Sequence, residues 1–390
     1  MYNSNERVES EEMILHDKIV CGGGVCRVTA QVASFAAHGG VREWHAVLHV
    51  DGGERTFADQ AASLRRAFET LREGFAGAEC LMCRLFLSDA AAQQRAAAAI
   101  FADVPLSMIQ QPPLDGSKVA AWAIFCEGVE RVGEGAFSHN GYTHRYALMR
   151  EAAGADSASQ TTALLDAYGA DLASCGMTLA DNCVRTWFFV RDVDVNYQGV
   201  VDARREKFDS CGLTPKTHYI ASTGIEGKPD RRDVFVRMDA YSVEGVSEGQ
   251  QQYLYARDYL NPTYEYGVTF ERGVRVDYGD RSHIFISGTA SIDNRGRVVH
   301  AGDVRRQTER MWENVEALLR EGGATMDDVM SIIVYLRDTA DYAAVRDMFA
   351  RRWPDIPAVI TLAPVCRPEW LVEMECVAVT KGAVCSYRPL

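Results

Sequence analysis

Two acids near the end of the chain have the residue type and spacing that acid catalysis requires. The stretch Pro364–Val379 reads PVCRPEWLVEMECVAV, which predicts the end of one strand, a turn at residues 367–369 and a return strand from Trp370. Because side chains alternate between the two faces of a strand, Glu373 and Glu375 share a face opposite an apolar one. Burial and a neighbouring like charge both raise a carboxyl pKa, so this pair suits an acid that protonates carbon near neutral pH. The structural alternative is an edge strand with solvated acids.

Elements that position these acids recur three times along the chain. Each copy has a glutamine opening an amphipathic helix, a β-rich segment ending in aspartate, a second helix and a further strand. The glutamines and aspartates are Gln60 and Asp89, Gln160 and Asp192, and Gln307 and Asp338. We therefore expect an α+β fold in which each copy is a mixed sheet with two helices on one face. The three open sheet faces are expected to pack together in a single-chain pseudo-trimer.

The repeat also sets the expected domain boundaries. We predict a degenerate first domain at residues 14–130, a second at 131–245 and a third at 246–382, which carries the best-preserved motifs. Glycine- and serine-rich segments at 133–140 and 242–251 are predicted as linkers.

Composition limits the classes of function. A net charge of −13 over 390 residues argues against a nucleic-acid or anionic-membrane surface. With no apolar run of membrane-spanning length and a polar N-terminal segment, a cytoplasmic protein is expected. Eleven cysteines, an odd number, favour reduced thiols over a disulfide framework. A pseudo-trimer needs no partner chain, so a monomer is expected, with a homodimer as the alternative.

No cofactor and no metal site are predicted. The nine histidines form no HxH pair. Cys80 and Cys83 form a lone CxxC, and Cys21 and Cys26 could complete a four-thiolate zinc site with them, but no known spacing supports it.

The third copy resembles the Rid superfamily, whose members are homotrimers of such a unit. The matching residues are Tyr266, Ser287-Gly288, Gln307, Asn314, VYLRD at 334–338, Pro357-Ala358 and LVEME at 371–375. The imine-hydrolysing branch carries an arginine directly after the Pro-Ala pair, and this chain has Val359 there. We predict that Ser107 and Thr217 occupy the corresponding places in the other copies. The resemblance therefore does not imply a standard imine deaminase.

A narrower resemblance is to the chorismatases, single-chain enzymes of that superfamily that remove pyruvate from chorismate. The similar segments are SGTASI at 287–292, HAGDVRRQ at 300–307, VCRPEWLVEME at 365–375, NYQGVVDAR at 196–204 and ASTGIEG at 221–227. The resemblance implies that Glu373 is the catalytic acid, that Arg204 binds a substrate carboxylate and that Cys366 steers the outcome of the reaction.

Further candidates follow from residue chemistry. A dianionic substrate needs fixed cations, and Arg204 and Arg367 are the candidates, with Arg205 and Arg346 as reserves; an exposed helix face is the alternative for each. Cys366 beside Arg367 is either an activated thiol or a small buried hydrophobe. The remaining predicted substrate-binding residues are Tyr266, Ser287, Glu375 and His218.

The sequence therefore predicts a small-carboxylate enzyme with one site between the second and third copies. The leading hypothesis is a cofactor-independent, chorismatase-like lyase or hydrolase that releases pyruvate and a hydroxybenzoate or dihydroxy-cyclohexadiene acid. The alternatives are a Rid-type enamine or imine deaminase, and a non-catalytic protein that binds a small metabolite.

Overall fold

The computed structural model describes residues 14–22, 24–37, 40–382, 384 and 386–390, and their strands form three six-stranded sheets. The first sheet, in the order β1-β2-β3-β6-β4-β5, defines the first unit. Its strands are β1 (Leu15–Cys21), β2 (Arg27–Ala36), β3 (Arg42–Asp51), β4 (Ala78–Leu87), β5 (Leu106–Gln110) and β6 (Val119–Glu127).

The second and third sheets have the same mixed character and define the second and third units. The second unit contains β7 (Glu130–Gly133), β8 (Ala136–His139), β9 (Tyr142–Arg150), β10 (Cys183–Val190), β11 (Ala221–Glu226) and β12 (Val236–Glu244). The third contains β13 (Gln251–Leu254), β14 (Gly273–Asp277), β15 (Arg281–Ala290), β16 (Val329–Leu336), β17 (Ala358–Leu362) and β18 (Val372–Lys381). In each sheet one edge strand pairs in parallel and its neighbours pair antiparallel.

Two main helices belong to each unit, as predicted. They are α1 (Phe57–Gly74) and α2 (Ala90–Ile100), α3 (Ser157–Ser174) and α5 (Val193–Ser210), and α6 (Val304–Glu321) and α7 (Tyr342–Arg352), with a short α4 (Leu179–Asn182) in the second unit. None of the helices among the described residues has the length and apolar character that crossing a bilayer requires.

The repeated glutamine forms the same hydrogen bond in all three units. Its side-chain oxygen accepts a hydrogen bond from the backbone N–H of the residue just before the central antiparallel strand. The three pairs are Gln60 with Lys118 (2.8 Å), Gln160 with Phe235 (2.8 Å) and Gln307 with Leu371 (2.9 Å). In the third unit this bond fixes the start of β18, two residues before Glu373.

The open faces of the three sheets meet in one central hydrophobic cluster, which confirms the predicted pseudo-trimer. Apolar residues from β6, β10 and β16 belong to this cluster, while separate clusters fill the space under the helices of the first and second units. Isolated bridges join the edges of neighbouring units, and they pair Gln110 with Lys228, Ile225 with Val365, and Pro113 with Thr361.

Two local predictions were wrong. The segment 133–140 is not a linker, because most of it forms the β7–β8 hairpin of the second sheet, and 242–251 is the end of β12 and a turn that enters β13. The strand before the predicted turn ends at Leu362 rather than beside it, and β16 lies between β17 and β18. The turn itself is present, since the Trp370 N–H donates to the Arg367 carbonyl at 3.1 Å.

Candidate functional site

Glu373 is a buried carboxyl on the second residue of β18. Its neighbours in the sheet are Ala290 of β15 and Tyr335 of β16, and it is 5% exposed. Burial, followed by the charge of Glu375, raises the pKa of Glu373 to about 8. Within the described residues no donor is hydrogen-bonded to its carboxyl group. The group is therefore mainly a protonated acid at neutral pH.

Glu375 lies on the same face of β18 but has a different environment. Its carboxylate accepts hydrogen bonds from Arg185 at 2.8 Å, from the Trp187 indole at 2.8 Å and from the Thr223 hydroxyl. These three donors belong to the second unit, so the buried ion pair of Arg185 and Glu375 joins the second and third units. Glu375 is thus held as an ion-paired carboxylate and acts on Glu373 through its charge.

A glycine creates the space for Glu373. The register of β15 against β18 shifts between Ile286 and Thr289, so Ser287 and Gly288 form a bulge opposite Glu375. A Cβ atom on Gly288 would lie 2.2 Å from Oε1 of Glu373. Any larger residue at this position would displace the carboxyl group.

Glu373 faces a cavity between the second and third units with an empty volume of about 490 Å³. The second unit contributes residues of α5 and β11, and the third contributes the loop before β14, the β15 bulge and the turn before β18. The lining residues are Tyr197, Arg204, Ser222, Thr223, Gly224, Tyr266, Val268, Phe270, Arg272, Gly288, Ala290, Ile292, Cys366, Arg367, Trp370 and Glu373. The cavity combines aromatic walls with three guanidinium groups.

Arg204 is a buried cation without a counterion. It is 1% exposed, its Nε donates to the Thr269 hydroxyl at 3.2 Å, and its guanidinium lies 5.6 Å from the ring centroid of Phe188. Its Nη2 is buried and has no hydrogen-bond partner. An unpaired buried guanidinium is costly, so its unused donor is suited to an anionic ligand.

Arg272 and Arg367 complete the cationic lining. Arg272 is 3% exposed and donates to the Asn261 carbonyl at 3.1 Å, while its Nε has no partner. Arg367 donates to the Tyr266 carbonyl at 3.2 Å and lies over the Tyr266 and Trp370 rings. Among the described residues none of the three arginines forms an ion pair with a carboxylate. With Glu373 protonated, the cavity carries an uncompensated positive charge.

Cys366 lines the cavity, but its thiol is not activated. Burial, followed by the charge of Glu373, raises the pKa of Cys366 to about 12. The charges of Arg367 and Arg204 act in the opposite direction and are outweighed. Of the two sequence interpretations, the raised pKa favours the small buried hydrophobe, and Cys366 is a neutral wall of the cavity.

The structure brings together only part of the predicted set. Glu373, Cys366, Arg204, Arg367 and Tyr266 all line the cavity, whereas the other predicted residues do not. Those outside it are Ser287, Glu375, His218 and the reserves Arg205 and Arg346.

Each residue outside the cavity has another partner. The Ser287 hydroxyl donates to the Glu271 carbonyl at 2.6 Å and accepts from the Ser222 N–H at 2.9 Å, so it joins two units. His218 lines a neighbouring cavity. The two second-choice arginines are exposed and form ion pairs with nearby acids, Arg205 with Asp202 and Arg346 with Asp347.

Arg272 is the main residue that sequence reasoning missed. It follows Glu271 in an ordinary polar segment and belongs to none of the recognised motifs. Its neighbour Phe270 and the turn residue Trp370 also line the cavity. No periodicity or motif in FERGVRV at 270–276 distinguishes Arg272 from Arg275.

The acid is present in only one of the three equivalent positions. The bulged pairing of β4, β10 and β16 with the central strand aligns Glu373 with Arg237 in the second unit and with Ala120 in the first. Arg237 is already paired with Glu151 and Asp230. Among the described residues at these three positions, Glu373 alone is an acid, and it lies at the seam between the second and third units.

The same alignment corrects one sequence prediction. The parallel pairing of the edge strands places Thr223, not Thr217, in the position that Val359 and Ser107 occupy in the other units. Thr217 lies in the loop before β11, where its hydroxyl donates to the Gly212 carbonyl at 2.7 Å. Matching by the nearby proline misplaced the start of β11 by six residues.

Comparisons with known proteins agree with this architecture. The family model described as Endoribonuclease L-PSP matches residues 271–380. A RutC family protein of Pyrococcus abyssi is 33% identical over 97 residues, which cover 24% of this chain and 76% of the relative. The crystal structure of a chorismatase matches with a TM-score of 0.60 and 20% identity, covering 77% of this chain and 92% of that chain.

The chorismatase match extends the shared fold well beyond the third unit. At 20% identity it shows a common architecture, and the 33% identity of the RutC family protein carries the family assignment. The chain belongs to the Rid superfamily, as a single-chain form with three units of which the third is the most similar in sequence to its relatives.

Proposed function

We propose that this protein hydrolyses the enol-pyruvyl ether of a small cyclic dicarboxylate, with chorismate as the model substrate, and releases pyruvate. The observation that carries the proposal is the shared cavity of a protonated Glu373 and three guanidinium groups without counterions. The sequence resemblance to chorismatases and the chorismatase-like fold support it independently.

Charge and the aromatic lining select the substrate class. Arginine binds a carboxylate through two parallel N–H donors, so Arg204, Arg272 and Arg367 provide more cationic donors than one carboxylate needs. A dicarboxylate matches this excess, and aromatic side chains such as Phe270 and Trp370 suit a flat ring.

The reaction begins with transfer of the Glu373 proton to the terminal methylene carbon of the enol ether. The carbon–carbon double bond is consumed, the methylene becomes a methyl group, and positive charge develops on the ether carbon. Water then attacks that carbon and returns a proton to the Glu373 carboxylate. The resulting hemiketal breaks its bond to the ring oxygen, which takes the remaining hydroxyl proton and leaves as an alcohol. One ether and one water thus give one alcohol and one pyruvate.

Cys366 is assigned a role in shaping the product. Because its thiol is neutral, it contacts the ring as a small, weakly polar wall rather than as a nucleophile. Its size therefore influences how the ring sits when the ether bond breaks, and so which ring product follows.

The test is pyruvate release from chorismate, followed by the oxidation of NADH by lactate dehydrogenase. Wild-type protein is expected to release pyruvate, Glu373→Gln to release none above background, and Arg204→Met to require a higher substrate concentration. Glu313→Gln, an exposed acid on α6, is the matched control and should behave as wild type. Absence of pyruvate with the wild-type protein, or ammonia release from 2-aminoacrylate in its place, would refute the proposal.

A further inference from the structure

A second cavity adjoins the proposed catalytic one, and Arg272 forms part of the wall of both. Its empty volume is about 470 Å³, and it lies between the loop before β11 and the segment that follows β13. The polar residues that matter for its chemistry are His218, Arg257, Asn261, Glu271 and Arg272. The proposed reaction uses none of the first four.

The cations of this second cavity exceed its acids. Arg257 is exposed at the rim, lies 5.0 Å from the Tyr255 ring centroid and forms no ion pair within the described residues. Arg272 is buried and its Nε has no partner. Glu271 is the one carboxyl group among the lining residues and accepts a hydrogen bond from the Tyr219 N–H at 2.8 Å.

His218 adds no charge at neutral pH. Its Nδ1 donates to the Tyr219 carbonyl at 2.9 Å, which leaves Nε2 to accept from the Tyr253 hydroxyl at 3.2 Å. Burial lowers the pKa of His218, so the neutral ring is favoured. The cavity therefore carries the two guanidinium charges, reduced by the ionised fraction of Glu271.

Glu271 makes this charge depend on pH. Burial raises the pKa of Glu271 to about 7, against the opposing charges of Arg257 and Arg272. The other titratable side chains near it are His218, Tyr219, Tyr253, Tyr255 and Tyr264. Burial lowers the pKa of His218 and raises the pKa of Tyr219, Tyr253 and Tyr255. Below pH 7 Glu271 is protonated and the cavity is more positive, and above pH 7 it is less positive.

We propose that the second cavity is a carboxylate-binding site that receives the small 2-oxo acid formed in the catalytic cavity. The choice of ligand rests on the proposed function. Hydrolysis converts one dianion into two separate anions, which repel each other in a shared, poorly hydrated space. Because Arg272 borders both cavities, the 2-oxo acid stays near a guanidinium group as it moves from the catalytic cavity to Arg257.

Titration calorimetry with pyruvate tests the site on the intact protein. We expect wild-type protein to bind pyruvate, with lower affinity at pH 8 than at pH 6. Arg257→Ala should weaken binding roughly threefold to tenfold, the loss of one charged hydrogen bond at a partly hydrated position. Arg346→Ala is the matched control, since Arg346 is exposed, paired with Asp347 and borders neither cavity. Glu271→Gln should bind with equal affinity at the two pH values.

The outcomes separate this inference from the proposed function. No pyruvate binding to the wild-type protein at tens of millimolar, or unchanged binding by Arg257→Ala, overturns the second site. Loss of binding in Arg204→Met with full binding in Arg257→Ala would place pyruvate in the catalytic cavity and also overturns it. If chorismate gives no pyruvate but Arg257→Ala still weakens pyruvate binding, the second site stands and the proposed function fails.

Discussion

Replacing Glu375 should change the pH dependence of the proposed reaction without touching the acid itself. Catalysis requires protonated Glu373, whose pKa is about 8, so wild-type activity is expected below that pH and is lost above it. Glu375→Gln removes the negative charge that helps to hold this proton and leaves Arg185 without its anionic partner. Both changes lower the pKa of Glu373, so the alkaline limit of activity must move to lower pH.

The expected size follows from the strand geometry. Two residues on one face of a strand are about 7 Å apart. Unit charges at that distance interact by roughly 2 kcal/mol at an effective dielectric constant of about 20. Since about 1.4 kcal/mol corresponds to one pH unit, the alkaline limit should fall by between about one and two pH units.

The assay is kcat/KM for pyruvate release between pH 5 and pH 9, roughly the range in which carboxyl groups with raised pKa titrate. Asp277→Asn is the matched control, because it also removes a buried acid paired with an arginine, Arg275, but lies outside the cavity. Its profile should coincide with that of the wild type. If Glu375→Gln loses activity at the same alkaline pH as the wild type, the charge of Glu375 does not raise the pKa of Glu373 and the reasoning is refuted. Thermal unfolding of each variant, measured in parallel, establishes that the compared proteins are folded.

Three other predictions concern stability, space and reactivity. The folded state holds the Glu373 proton up to a pKa of about 8, whereas the unfolded chain loses it near 4.5, so the free energy of unfolding falls with rising pH between these values. Glu373→Gln should therefore raise the free energy of unfolding by about 3 kcal/mol at pH 7, measured by urea titration. An equal free energy of unfolding at pH 5 and pH 8 for both proteins would contradict this. Gly288→Ala should lower kcat at least tenfold, because the new Cβ would lie 2.2 Å from Glu373 Oε1. The control Gly169→Ala should keep activity, because its Cβ would be 3.8 Å from the nearest neighbouring atom. Equal activities of the two variants would show that Glu373 is not held against Gly288. Cys366, with a pKa of about 12, should resist iodoacetamide at pH 8, and mass-spectrometric detection of rapid alkylation there would show that its thiol is activated after all.

The architecture was predictable because the repeat has a local physical basis. The repeated glutamine, Gln307 in the third unit, accepts a hydrogen bond from the Leu371 N–H and so fixes the start of β18 within the same unit. The alternation of apolar and acidic residues in β18 likewise predicted a strand with Glu373 and Glu375 on one face. Such features depend on neighbours in sequence, so the sequence alone displays them.

Features that depend on contacts between units were less predictable. Arg272 becomes a cavity residue only because β11 of the second unit pairs with Glu271 of the third through Ala221. The sequence left Cys366 open between an activated thiol and a buried hydrophobe, because the adjacent arginine is visible in the sequence and the extent of burial is not. The position of Thr223 depended on the parallel register of β10 and β11, which no motif in the chain records.

The most direct test of the account is the origin of the hydrogen that completes the pyruvate methyl group. Chorismate is turned over in deuterium oxide, the pyruvate is trapped at once as lactate by lactate dehydrogenase, and the methyl group is analysed by mass spectrometry. Proton transfer from Glu373, which exchanges with solvent, predicts one deuterium in the methyl group of each lactate. Lactate without deuterium would mean that the hydrogen comes from the substrate ring, and Glu373 would then not be the acid that protonates carbon.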